Sequence, residues 1–402
     1  MGSGTWSKAR LGRMHDVMAH HVTEGGVPGI VTLLSRRGDV HVEAIGVKAL
    51  GESDPMRRDT IFRIASMTKP IVAVATMILV EECRLRMDEP VDRLLPELAN
   101  RRVLKRLDGP LDETVPANRP ITVRDLLTFR MGIGLVMAPP DTHPILKAMI
   151  ERKVDVGPFL SAASSPDAWI RALGELPLMH QPGERWLYHT GSEVLGVLIA
   201  RAAGQPLETF LRERIFDPLE MKDTSFSVPA TKLHRLTSCY VPNQKTGALD
   251  LFDDARNSRW SRPPAFPSGG GGLVSTVDDY LAFGEMLLNK GKRGSERILS
   301  RLSVEAMTTN QLALAETAGT GFSPEFWERS GWGLGVSMII RRVGVSEVPG
   351  RYGWDGGYGT SWTSDPKEEI VAILMTQRLW TSPKPPDVYL DFWTSAYQAI
   401  DD

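Results

Sequence analysis

Apolar and polar positions change period several times along the chain, and each change predicts a new element. Leu11, Met14, Val17 or Met18, and Val22 recur at helical spacing, so the opening region reads as an amphipathic helix. GIVTLLSRRGDVHVEAIG then sets two β-rich runs on either side of Arg36–Arg37–Gly38–Asp39, the pattern of a hairpin. The run Ile71–Val80 predicts a buried helix, and its length is far short of the ~20 residues a bilayer span needs.

From about residue 80 to 260 the texture is different. VRDLLTF, DAWIRALGEL and SEVLGVLIARAAG carry helical patterns and alternate with Pro-rich loops such as MAPPDTHP. RWSRPPAFPSGGGG marks a boundary, and beyond it Ser275–Thr276–Val277–Asp278 reads as a capping-box variant opening the helix around DYLAFGEMLL. WGLGVSMIIRR and EEIVAILMTQ return to strand patterns, and DVYLDFWTSAYQAI closes the chain as a helix. Strand-rich ends around a helical middle predict a discontinuous α/β domain (1–80 and 265–402) carrying an inserted, mainly α-helical domain (81–264), with the active site in the cleft between them.

Composition narrows the function classes. With 42% hydrophobic and 24% charged residues over 402 positions, the chain can bury a sizeable core. A net charge of -2 gives no basic footprint for nucleic acid and no field for an anionic membrane. Cys83 and Cys239 are the two cysteines, too few for a disulfide framework. MGSGTWSKARLGRMHDVMAHHVTEGG lacks the apolar segment of a secretory signal, so a soluble cytoplasmic protein is expected. The pattern sets no oligomeric state.

Candidate chemistry begins at RIASMTKPIVAVATMILVEE, where Ser66 stands three residues before Lys69 at the start of the apolar helix. That spacing puts both side chains on one helical face, a turn apart. A serine at a helix start also presents an unpaired backbone N–H, half of a potential oxyanion hole. Lys69 can act as base only when neutral, which requires a drop of about 2–3 units from ~10.4, a cost of roughly 3–4 kcal/mol that burial can impose. For an arbitrary S-x-x-K, a serine cap followed by an unrelated lysine is the commoner arrangement. Ser364–Asp365–Pro366–Lys367 has the same spacing and reads as a turn. No serine has glycine at both flanking second positions, and H-E-x-x-H, C-x-x-C, a Walker loop and G-x-G-x-x-G are all absent.

DTIFRIASMTKPIVAVATMILVEE followed by DEPVDRLLPEL resembles the nucleophile segment of the serine β-lactamase and penicillin-binding-protein superfamily. The likeness is closest to the class C β-lactamase branch and the family VIII carboxylesterases. ITVRDLLTF, QPGERWLYHTGSEVLG, SGGGGLVSTVDDYLAFGEMLL and RYGWDGGYGTSW follow in the family's order across most of residues 25–375. The resemblance implies a β-lactamase/transpeptidase-like fold, an antiparallel sheet flanked by helices with an inserted helical domain. The family's second motif, Tyr-x-Asn, reads Tyr188–His189–Thr190. The resemblance makes Tyr188 a general base or acid with Lys69, a phenolate being tenable only beside a cation such as the Lys69 ammonium. It leaves His189 as lining and Thr190 as a polar contact to the substrate acyl group.

The third motif is Lys-Thr-Gly in β-lactamases. A literal Lys245–Thr246–Gly247 lies in VPNQKTGALDLF, but its surroundings read as a polar turn. The strand that the family places beside the nucleophile corresponds to RYGWDGGYGTSW, where the triplet is Trp354–Asp355–Gly356. An indole cannot hold a carboxylate as a lysine does; it offers an apolar wall for acyl or alkoxy groups. Asp355 adds negative charge that disfavours anionic substrates. By resemblance, the Gly357 N–H pairs with that of Ser66 as the oxyanion hole.

These readings lead to a serine hydrolase that cleaves short-chain or aryl carboxylic esters through an acyl-enzyme on Ser66. It would use Lys69 and Tyr188 as base and need no metal or organic cofactor. The expected partner is a small-molecule ester, with no nucleic acid and no membrane. Three alternatives share the nucleophile: a β-lactamase, a D-alanyl-D-alanine carboxypeptidase, and an acyltransferase with an alcohol acceptor. A non-catalytic binding descendant need not have kept Ser66, Lys69 and Tyr188 together.

Overall fold

The two β-rich runs near the N-terminus form the expected hairpin. The computed structural model describes residues 5–136, 138–139, 141–154, 165–317 and 321–401. In it β1 (Gly29–Arg36) and β2 (Asp39–Gly46) pair antiparallel, with Arg36 opposite Asp39. Arg37 (φ 52°) and Gly38 (φ 83°) make the turn, and positive φ at both central positions suits the twist of the flanking strands.

Five later strands complete the sheet: β3 (Ser330–Trp332), β4 (Ser337–Ile339), β5 (Tyr352–Gly356), β6 (Thr360–Asp365) and β7 (Ile370–Thr376). The order is β3-β4-β5-β6-β7-β1-β2, every neighbouring pair antiparallel. β1 therefore sits inside the sheet beside β7 and is buried along its whole length.

Five helices position the site: α1 (Lys8–Thr23), α2 (Thr68–Glu81), α3 (Thr190–Ala203), α4 (Val277–Leu288) and α5 (Asp387–Gln398). Alternation along the strands divides the core. Ile30, Leu34, Ala372 and Leu374 pack with Met14 and Met18 of α1 and Phe392 of α5. Val31, Leu33, Val371 and Ile373 face the other way, into the cluster that holds α2 and α4. Every residue of α2 from Thr68 to Leu79 is buried, as a helix apolar all round its surface requires.

Two expectations meet the structure differently. Ser364 and Asp365 end β6 and a turn follows, as predicted. The cap of α4 is Thr276, whose hydroxyl accepts from Asp279 N–H, and Ser275 is displaced from that role. Ser275 instead pairs with Phe62 in a short ribbon and bonds Thr224 through its hydroxyl at 2.8 Å. Between residues 82 and 273 lie short helices, including Val123–Leu127, Pro144–Glu151 and Pro166–Gly174, and two-stranded ribbons. The MAPPDTHP loop and the pocket-shaping segment expected near 135–180 lie partly outside the described residues. No single helix among the described residues is long and apolar enough to cross a membrane.

Candidate active site

Ser66 stands on a tight turn between the short strand Phe62–Arg63 and α2. Residues Ala65–Met67 make one 3₁₀ turn, and Ala65 carries a φ of 43°, a left-handed conformation that is costly for a residue with a Cβ. Surrounding elements hold it in place. Thr360 Oγ1 donates to the Ile64 carbonyl, Ile64 N–H donates to Leu273, and Tyr280 Oη donates to the Met67 carbonyl at 2.7 Å. Ser66 is thereby presented, half-buried, to a cavity of about 1360 Å³.

Lys69 is buried, 1% exposed, and its Nζ lies 2.9 Å from Ser66 Oγ. Two further neighbours surround the amine: the Gly270 carbonyl at 2.6 Å and His189 Nδ1 at 3.1 Å. Burial pushes Lys69 down to about 7, against the opposing pull of the Glu193 carboxylate. The cost anticipated for a working lysine base is thus met by its surroundings.

Tyr188 reaches the same spot from the residue pair before α3. Its ring stacks on Trp186 with centroids 5.4 Å apart and meets Phe129 edge-on, also at 5.4 Å. Its hydroxyl accepts from Trp354 Nε1 at 2.5 Å. Lys69 Nζ lies over the ring face, 4.5 Å from the centroid. Burial raises the phenol well above its ordinary value, only partly offset by the hydrogen bonds to Ser66 and Trp354. Burial acts oppositely on the two groups, favouring a neutral amine beside a neutral phenol over the ammonium–phenolate pair that the sequence allowed.

Trp354–Gly356 form the end of β5, which lies against the Ser66 turn, and Gly357 follows the strand. Trp354 and Asp355 line the cavity, as does Gly357. Asp355 accepts from Ser361, and burial pushes its carboxyl up to about 6. Gly356 does not line the cavity: it packs on the Ser66 turn, where a Cβ would fall 2.3 Å from the Ile64 carbonyl oxygen. Gly356, the last residue of the triplet that the resemblance places against the substrate, is therefore a close backbone packing point instead. Thr190 is corrected too. It is 0% exposed, does not line the cavity, and its Oγ1 has no hydrogen-bond partner among the described residues. His189 lines the cavity in its place. Lys245–Thr246–Gly247 is an exposed turn between the strands Cys239–Pro242 and Leu249–Asp253, as its polar setting suggested.

The cavity walls near Ser66 are apolar and aromatic, including Leu135, Phe322, Phe326 and Tyr358. The space continues past Asp355 to Tyr389 and Trp393 of α5. Arg329 and Arg351 also line it, the first paired with Glu347 at 3.5 Å and the second stacked over Trp393 and Tyr397. Sequence reasoning missed the Trp354–Tyr188 bond and the neighbours His189, Glu193 and Gly270. The four-residue spacing of His189 and Glu193 was the available signal for one pair.

Residues 14–390 match the protein-family model described as Beta-lactamase. Protein Rv1367c of Mycobacterium tuberculosis is 36% identical over 375 residues, covering 91% of this chain and 88% of that protein. Esterase EstB of Burkholderia gladioli is 29% identical over 396 residues, covering 93% and 92%. Among solved structures, EstCE1, described as a hydrolase with promiscuous acyltransferase activity, superposes with a TM-score of 0.79 at 25% identity, covering 97% of this chain and 99% of its own. The antiparallel sheet with its flanking helices is the β-lactamase/transpeptidase-like fold. With the match running over nearly the whole chain, the protein belongs to the Beta-lactamase family, on a branch that includes esterases.

Proposed function

We propose that this protein hydrolyses carboxylic esters through an acyl-enzyme on Ser66. Lys69 takes the Ser66 proton as the oxygen attacks the ester carbonyl, and the Ser66 and Gly357 amides stabilise the oxyanion. The proton reaches the leaving alkoxide through the Lys69/Tyr188 pair, and the same pair activates the water that releases the acid. Short-chain or aryl esters suit the aromatic walls around Trp354 and Phe322. The division into a discontinuous α/β unit (1–80, 265–402) and an inserted helical unit (81–264) fits this reading. Ser66, Lys69 and Trp354–Gly357 would come from the first, and Tyr188 from the second.

One observation carries the proposal: a buried lysine, pushed down to about 7, with its nitrogen 2.9 Å from a serine hydroxyl that faces a large cavity. Turnover of p-nitrophenyl butyrate and of nitrocefin by wild type and Ser66→Ala tests it. Ester turnover should fall at least about a thousandfold in the variant, and nitrocefin should be the poorer substrate. Ester turnover surviving in Ser66→Ala would end the reading. A second reading, acyl transfer to an alcohol, is favoured by the size of the cavity and by the description of EstCE1. Product analysis with added alcohol separates it, because a transferase yields a new ester where a hydrolase yields the acid.

A further inference from the structure

The amine of Lys69 is gripped from a side that the serine–lysine–tyrosine scheme does not use. His189 adopts φ 81° and ψ -61°, and Thr190 N–H donates to the Tyr188 carbonyl at 3.1 Å across it. That is a γ-turn of the strained, positive-φ kind, rare for a residue with a side chain. It swings the imidazole onto Lys69, Nδ1 lying 3.1 Å from Nζ, while Nε2 lies 2.9 Å from Glu193 Oε1 one turn into α3. Glu193 is 3% exposed and also accepts from Ser268 Oγ at 2.6 Å. The glycine-rich run closes over the pair: a Cβ at Gly270 would lie 2.7 Å from Glu193 Oε1 and 2.8 Å from His189 Nε2.

We infer that His189 and Glu193 are positioning residues that fix the imidazole tautomer and so aim the Lys69 lone pair at Ser66. The inference rests on Lys69 being the base. Burial raises the Glu193 carboxyl, but hydrogen bonds from His189 and Ser268, with the Lys69 charge, hold it below its ordinary value. An ionised Glu193 only accepts, so a neutral His189 carries its proton on Nε2 and leaves Nδ1 as an acceptor. A neutral amine has two N–H bonds and one lone pair. The Gly270 carbonyl and His189 Nδ1 can only accept, so they take both hydrogens. The remaining neighbour is Ser66 Oγ, whose hydroxyl must then donate to the lone pair. In the opposite tautomer Nδ1–H would occupy that lone pair and turn the base away from its nucleophile.

Glu193→Gln tests the arrangement, because the carboxamide keeps the shape and offers N–H to Nε2, favouring the wrong tautomer. The expected result is a fall in kcat of about a hundredfold with KM nearly unchanged, at the low end of what general-base catalysis supplies. The acid limb of the kcat profile should also move to lower pH, since the carboxylate that raises Lys69 is gone. The other groups facing the amine are Ser66, the Tyr188 ring, His189 and the uncharged Gly270 carbonyl. The limb shift reports the lost charge alone, so the tautomer is read from the kcat loss and from the His189 variants.

His189→Asn and His189→Leu give a second comparison. Asparagine retains an acceptor and should keep at least about tenfold more activity than leucine, a difference on the scale of one hydrogen bond. Wild-type kcat and an unmoved acid limb in Glu193→Gln, or equal activity in the two His189 variants, would overturn the inference. Ester turnover surviving in Lys69→Met would instead overturn the underlying assignment of the base, so the two failures are distinguishable.

Discussion

Trp354 Nε1 donates to Tyr188 Oη across 2.5 Å, joining the end of β5 to the phenol beside Ser66. The indole is both an apolar wall and the donor that holds the phenol in place. Trp354→Phe keeps a flat ring and removes the donor, leaving a buried oxygen short of a partner, a loss of about 1–3 kcal/mol. We expect kcat on an ester substrate to drop about tenfold while the fold, followed by circular dichroism, stays intact.

The pH response follows from Lys69. Its pKa of about 7 lies below the ordinary lysine value, so the free amine predominates above neutrality and is lost as pH falls through 7. Activity should therefore show an acid limb near pH 7, read from kcat/KM between pH 5 and 9.

The same shift makes a stability prediction. Between about 7 and the ordinary lysine value the unfolded chain binds the proton and the folded chain does not, so this group makes stability rise with pH over that window. Lys69→Met removes the buried charge, and its Tm relative to wild type should be more favourable at pH 6 than at pH 9. A pH-independent difference would contradict the assignment.

Two neighbouring glycines should behave oppositely. A Cβ at Gly356 meets the Ile64 carbonyl oxygen at 2.3 Å, whereas a Cβ at Gly357 meets nothing within 4 Å. Gly356→Ala should lose about 1–3 kcal/mol of stability and disturb the Ser66 turn, whereas Gly357→Ala should melt like wild type. Thermal unfolding of the two variants side by side decides it.

Thr190 offers the reverse case. Its buried Oγ1 has no partner among the described residues, so the isosteric change Thr190→Val should stabilise by about 1 kcal/mol. KM should not move, because the side chain does not line the cavity. A raised KM would restore the substrate contact that the sequence suggested.

Local periodicity made α1, the β1–β2 hairpin, α2 and α5 legible, because each buries residues at a spacing set by its own geometry. Ser66, Lys69 and Tyr188 stood out for a different reason, the order of several motif blocks, and the structure brings the three side chains together. What escaped depends on long-range geometry. Trp354 and Tyr188 are 166 positions apart. Ser275 and Thr276 are equally good caps in sequence, and only the pairing of Ser275 with Phe62 and Thr224 decides between them. His189 reaches Lys69 only through a positive φ that nothing in its residue type announces.

The far end of the cavity is walled by Tyr389 and Trp393, which also belong to the cluster where α5 meets α1 and the sheet. Enlarging that end by trimming either ring would loosen the seam between the chain's two terminal helices. Leu390, 44% exposed on the same rim, is under no such double obligation. Changes of appetite for bulkier molecules are therefore cheapest at the lip, where a new side chain reshapes the entrance and leaves the foundations alone.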